Sequence, residues 1–220
     1  MKTIHYWILG MALLQQACGS LRHPPKYELG TGYYKFKQEG SKFKPVFVET
    51  SEDTVHIYPE FEDEKISIIP TRDEVFQNTG FDVDLTTAIF KYRNAQENLP
   101  RQLNYEFNGH LYLGYRIDRY QVHYSKTPIG FVKNSVYHGI TFGAFGGLGA
   151  TAVTPWSTNY QMMDEYHGLI VTHGFATMVG LGRITSGLAI GWDYLTDRDK
   201  AIWIYQGTPW FGIIFGLNIN

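Results

Sequence analysis

The stretch Leu103-Asn-Tyr-Glu-Phe-Asn-Gly-His-Leu-Tyr-Leu-Gly-Tyr-Arg-Ile-Asp118 decides the fold. Leu103, Tyr105, Phe107, Gly109, Leu111, Leu113, Tyr115 and Ile117 fall on one face, and Asn104, Glu106, Asn108, His110, Tyr112, Gly114, Arg116 and Asp118 on the other. Side chains alternate across a strand, so a period of two held this long is a β-strand with one greasy face. At about 3.3 Å per residue it is long enough to cross a bilayer at a tilt. Residues 81–89 repeat the pattern, with Phe81, Val83, Leu85 and Ile89 opposite Asp82, Asp84, Thr86 and Ala88. At the C-terminus Phe211, Ile213, Phe215, Leu217 and Ile219 alternate with Trp210, Gly212, Ile214, Gly216, Asn218 and Asn220. Residues 140–152, 169–181 and 188–194 are glycine-rich and roughly alternating.

The chain of 220 residues carries 23 glycines, 16 tyrosines and 14 phenylalanines, yet its mean hydropathy is only −0.24. Membrane β-barrels reconcile these facts, because only alternate residues meet lipid while aromatic residues collect at the interfaces. Glycine within such strands leaves room for large neighbours in a narrow lumen and lets the sheet bend. The expected fold is therefore all-β: a small antiparallel up-and-down transmembrane β-barrel over residues 80–220, after an N-terminal β-hairpin segment over 32–79. In that segment Lys44-Pro-Val-Phe-Val-Glu and Thr54-Val-His-Ile-Tyr flank Thr50-Ser-Glu-Asp, and a short strand is expected at 66–69. The alternating segments supply six strands, whereas closed single-chain outer-membrane barrels have about eight or more. The two missing strands are expected from the 44–58 hairpin or from residues 120–137. Residues 182–186 suit a short periplasmic turn, and 154–166 and 196–208 suit longer outward loops. Residues 121–137 are too long for a simple turn.

The N-terminus gives a location. Lys2, an apolar run over 6–14 and Gln15-Gln16-Ala17 precede the lone cysteine, Cys18. These are the parts of a secretory signal of the bacterial lipoprotein kind, and the apolar run is too short to span a bilayer. The expectation is a signal peptide over 1–17, a covalent lipid on Cys18 and a tether over 18–31. No other cofactor is expected, and no disulfide can form within the chain. Net charge is −2 with the charges dispersed, which argues against a nucleic-acid partner.

The runs Phe81-Asp-Val-Asp-Leu-Thr-Thr-Ala-Ile-Phe-Lys-Tyr-Arg, Leu103-Asn-Tyr-Glu-Phe-Asn-Gly-His-Leu-Tyr-Leu-Gly-Tyr-Arg and Gly191-Trp-Asp-Tyr-Leu resemble an outer-membrane family. So do Trp203-Ile-Tyr-Gln-Gly-Thr-Pro-Trp-Phe-Gly and Gly216-Leu-Asn-Ile-Asn. It is the uncharacterised outer-membrane β-barrel (lipo)protein family of Bacteroidota-type bacteria. The resemblance covers about residues 80–220 and implies a fold and a location but no activity. Surface-exported lipoproteins of such bacteria carry acidic residues just after the cysteine. Here Gly19-Ser-Leu-Arg follows, so the lipid end is expected on the periplasmic side. The expected partners are outer-membrane lipids and the barrel-assembly and lipoprotein-sorting machineries, with an envelope protein as a further option. The expected role is structural or within an envelope complex, with narrow transport as a further option.

Asp82, Asp84, Glu106, His110, Arg116 and Asp118 are expected to point into the lumen. With the first two membrane strands paired around a turn near residue 99, Asp82 faces Arg116 and Ala88 faces His110. Arg116 would then bridge Asp82 and Asp84, since cross-strand Cβ atoms lie about 5 Å apart. The network would serve as a cation site or polar conduit, or would simply fill a small barrel, since a buried charge needs a partner whether or not it works. Trp156, Trp192, Trp203, Tyr205 and Trp210 are expected to form aromatic girdles at the interfaces, an aromatic carbohydrate platform being the alternative. His173 falls on the greasy face of its strand, where lipid exposure would be costly, so it is expected at an interface or packed against another part of the protein.

Two rival readings remain. A lipid-anchored, water-soluble β-barrel binding a small apolar ligand would use the same alternation with its greasy face inward. His123-Tyr124-Ser125 resembles the His-x-Ser pair of barrel-type lipid A deacylases, in which the imidazole activates the hydroxyl. Lys126 stands where those enzymes carry asparagine, and no acid lies between Ser125 and Asp164 to orient His123. The expectation is a protein that is not an enzyme. No histidine pair has metal-ligand spacing.

Overall fold

Period-two patterning makes strands, and every long regular element of the computed structural model is one. It describes residues 28–37, 42–51, 54–59, 66–68, 74–96, 99–128, 130–181 and 184–219. The expected signal segment and Cys18 lie outside the described residues. The strands are β1 (Gly32–Lys37), β2 (Lys44–Thr50), β3 (Val55–Pro59), β4 (Ile66–Ile68), β5 (Glu74–Arg93), β6 (Gln102–Tyr105), β7 (Asn108–Thr127), β8 (Gly130–Val153), β9 (Tyr166–Leu181), β10 (Ile184–Leu195) and β11 (Pro209–Asn218). Two short 3-10 turns, Trp156–Thr158 and Arg198–Ala201, shape the loops.

All of them join one antiparallel sheet with a partly ring-like closure. Pairing runs β5–β7–β8–β9–β10–β11 and returns to β5, where Trp210–Asn218 lie beside Asp84–Arg93. Among the described residues this cycle holds six strands, against the eight expected. The two candidate sources of further strands go elsewhere. The 44–58 hairpin forms β2 and β3, which reach the ring only through β1. Residues 120–137 are the far halves of β7 and β8, which run past the ring as one long hairpin from Ile117↔Ile140 to Thr127↔Gly130. Gly130 closes it with φ 124°, a conformation that favours glycine. The division in space therefore does not follow a chain boundary at residue 80.

What faces outward changes along the same strands. On the ring the exposed side chains are mainly apolar, among them Phe81, Leu85, Leu111, Leu113, Phe142, Phe175, Leu188 and Ile213. The buried side carries Asp82, Asp84, His110, Thr141, Thr172 and Asp193. Below the ring the buried side becomes apolar. Tyr34, Val46, Val48, Ile57, Phe76, Tyr120 and Val122 form a buried core, while Arg119 is exposed. On β7 the switch falls within four residues: Ile117 outward and Asp118 inward, then Arg119 outward and Tyr120 inward.

Candidate functional site

The interior of the ring is layered. At the end nearest the β9–β10 connection, Arg116 donates to Asp82 at 2.9 Å and to Asp118 at 2.7 Å. Asp118 also accepts from the Tyr137 hydroxyl at 2.7 Å. Burial and this hydrogen bond both push the Tyr137 pKa up, so it stays protonated. Asp84 accepts from Thr185 at 2.9 Å. The register differs from the expected one by two residues: Gly80 faces Arg116, Asp82 faces Gly114 and Thr86 faces His110. The turn between β5 and β6 is centred earlier, closed by reciprocal hydrogen bonds between Gln96 and Leu99. An even shift leaves every side chain on its face. Arg116 therefore still meets Asp82, diagonally, but its second partner is Asp118 and not Asp84.

A middle layer is apolar: Ala88, Tyr112, Phe145, Ala176, Met178, Ala189, Trp210 and Ile214 pack together, fully or nearly buried. Glycine makes the room, as a Cβ on Gly191 would lie 2.4 Å from the Trp210 ring.

The third layer, toward the opposite mouth, was not anticipated. Asp193 accepts from Lys91 at 3.0 Å, from Thr172 at 2.7 Å, from the Trp210 indole at 3.0 Å and from Arg93. Lys91, Arg93 and Asp193 have at most 1% exposure. Strict alternation from Phe81 would send Lys91 and Arg93 outward. A β-bulge at Ile89, where Ile213 pairs Phe90 but Ile214 pairs Ala88, turns the strand so that both cations face inward. Ile89 and Phe90 are consequently both exposed. Two adjacent apolar residues within an alternating run, followed by Lys-x-Arg, were the available signal.

The mouth is capped by the loop after β10. Tyr205 and Trp203 lie over the Arg93 guanidinium, with ring centroids 4.8 and 5.6 Å away. The Tyr205 hydroxyl donates to Gln102 at 2.7 Å, and Ile204 is hydrogen-bonded to Ser157 of the neighbouring loop at 3.0 Å. Glu106 accepts from Thr151 at 2.5 Å. Its second oxygen, Asn108 Oδ1 and both His110 nitrogens are buried without a protein partner among the described residues.

The expected aromatic girdle is corrected. Trp210, Trp203 and Tyr205 are buried inside the ring or its cap, because Trp210 sits on the inward parity of β11 and the other two fold back over Arg93. Trp156 is exposed at the mouth beside Tyr160. Trp192 lies on the outer face, where His173 stacks between it and Tyr194 at 5.9 and 5.4 Å. His123 and Ser125 share the outer face of β7, beyond Arg119, and the Ser125 hydroxyl accepts from Asn134 at 2.9 Å. No protein-family model matches the sequence, and no curated protein and no solved structure is similar to it.

Proposed function

We propose that this chain is an outer-membrane β-barrel lipoprotein with a structural role in an envelope complex. The observation that carries this reading is the reversal of polarity along β7, from apolar-outward at Leu111–Ile117 to polar-outward at Arg119. A strand crossing from lipid into water needs that reversal, and a barrel wholly in water does not. Closure satisfies backbone groups that an open sheet would expose to lipid. The outer face also holds shallow apolar grooves lined by Phe142, Phe175, Leu188 and Phe211, suited to acyl chains. The water-soluble ligand binder would carry its greasy face inside, the opposite of the ring.

Orientation follows from the connections. The short β9–β10 link and the β1–β4 sheet share one end, and the long loops after β8 and β10 share the other. Short turns are periplasmic and long loops external in such barrels. The lipid on Cys18 then lies on the side of the N-terminal sheet. A partner has a place to dock there. Residues 130–138 of β8 pair β7 on one edge, no strand covers the other among the described residues, and Phe131, Val132 and Val136 are exposed. Open edges of this kind recruit an added strand.

The test is a gel of the detergent-extracted outer-membrane fraction, boiled against unboiled, with Cys18→Ala beside wild type. The expected result is a compact species that shifts only on boiling, with Cys18→Ala still embedded. Release of Cys18→Ala as a soluble periplasmic protein would sink the proposal.

A further inference from the structure

The wall of the ring has a gap at the mouth. β6 pairs β5 on one edge only, from Phe90↔Tyr105 to Arg93↔Gln102. The β7–β8 ladder begins at Asn108↔Gly149, and the tip of β8 beyond it, Ala150–Val153, pairs only β9. β6 and the tip of β8 thus face each other without a ladder between them. A cavity of about 350 Å³ fills the space. That is within the range of small-molecule sites, about 300–1,000 Å³.

Its lining selects a ligand class. Thr151 holds Glu106 through one carboxylate oxygen, leaving the other buried and unpartnered. An apolar occupant would leave that oxygen desolvated without a hydrogen bond, which is costly. An anion would be repelled by Glu106. A divalent hard cation asks for several oxygen ligands, usually including more than one carboxylate, and among the described residues Glu106 is the single carboxylate lining the cavity. What fits is a neutral molecule rich in hydroxyls. Gln102, its carbonyl oxygen taken by Tyr205, offers amide N–H donors, and Asn104 adds a second amide. The Trp156 ring, 57% exposed, supplies a flat apolar face at the rim. Acceptor, amide donors and aromatic face are what a sugar ring requires, with hydroxyls along its edge and C–H groups on its faces.

We infer that the gap between β6 and the tip of β8 is a binding site for a neutral saccharide. The sugar comes either free from outside or as the head of a lipid, since exposed Leu103, Tyr105 and Phe107 flank the gap on the outer face. The inference does not depend on the ring being in a membrane.

The experiment uses the purified mature chain in lauryldimethylamine oxide, which carries no sugar. Glucose, galactose, N-acetylglucosamine and maltose are titrated to about 50 mM, enough to reveal a millimolar Kd, with calorimetry and tryptophan fluorescence as readouts. Dodecyl maltoside serves as the lipid-linked counterpart of maltose. At least one probe should bind, with affinity falling about tenfold or more in Glu106→Gln and in Trp156→Ala. Trp192→Phe, on the outer face away from the gap, should bind as wild type. Dodecyl maltoside binding more tightly than maltose would assign a lipid-borne ligand, and equal binding a free one. The inference is overturned if no probe binds, or if Glu106→Gln and Trp156→Ala bind like wild type while retaining the compact unboiled form.

Discussion

Asp193 holds the third interior layer together, with four donors converging on one fully buried carboxylate. Replacing it by asparagine keeps the shape but leaves Lys91 and Arg93 buried without a counter-charge. Removing one partner of a buried ion pair costs about 3–5 kcal/mol, so Asp193→Asn should lower the urea midpoint of the detergent-solubilised protein by a corresponding amount. An unchanged midpoint would mean that water or another group already shields the cations. Glu74 tests the lower core. It lies at the start of β5, away from the ring, and burial raises its pKa from 4.5 to about 7. Between those values the folded chain holds a proton that the unfolded chain has lost, so stability falls as pH rises from 4.5 to about 7 and levels off above. Glu74→Gln should remove that slope and stabilise the protein at pH above 7 by about 1–3 kcal/mol, one pKa unit being about 1.4 kcal/mol. Parallel urea midpoints of wild type and variant across that window would contradict it. These two residues were hidden in the sequence for different reasons. Asp193 looked like one more residue in an aromatic-rich strand because its partners were displaced by a bulge. Glu74 lay between the expected short strand at 66–69 and the alternating run that starts at Phe81. Asp82, Arg116 and Asp118 were legible because nothing interrupts the alternation around them.

The element that carries most meaning is β7. Its outward face runs Leu111, Leu113, Tyr115, Ile117 and then Arg119, Gln121, His123. Read as sequence, Arg119 and Gln121 already break the greasy face that runs to Ile117. What could not be read was that the strand continues unbroken beyond it, because water-facing strands and loops are both polar. The partner was equally hidden: residues 130–138 alternate weakly, and only the hairpin register with β7 makes them a strand. The register of β5 against β7 was misplaced by two residues for want of the turn position, an error that alternation alone cannot detect. The polarity switch gives a paired prediction. Under the proposed membrane reading, Leu113→Arg places a charge in lipid and costs about 2–4 kcal/mol. Gln121→Arg, eight residues further on the same face, should be nearly neutral. Reconstitution into vesicles followed by urea titration measures both. If Leu113→Arg were as harmless as Gln121→Arg, the ring would be facing water, since an exposed leucine there tolerates a charge.

At the scale of the whole molecule, two charged layers are separated by a packed apolar one, and this argues against narrow transport through the ring. A conducting lumen needs a continuous polar path. Here Tyr112, Phe145, Met178, Trp210 and Ile214 fill the cross-section between the Asp82–Arg116–Asp118 cluster and the Asp193 cluster. Close-packed interiors leave few voids larger than a water molecule, and small barrels are filled by side chains. The mouth is closed again by Trp203 and Tyr205 over Arg93. Under the proposed membrane reading, purified protein added to a planar lipid bilayer should therefore insert and give no single-channel steps. Trp210→Ala should not open a path either. It removes one ring from the plug, while Tyr112 and Phe145 remain and Asp193 loses a single donor among four. The expected effect is a loss of stability of about 3–5 kcal/mol, as for other buried tryptophan truncations, with conductance still absent. Steady currents from wild type would require the middle layer to move as a unit. Trp210 ties that layer to the ionic one through its 3.0 Å bond to Asp193. Currents in Trp210→Ala but not in wild type would identify this indole as a gate and favour transport over a purely structural role.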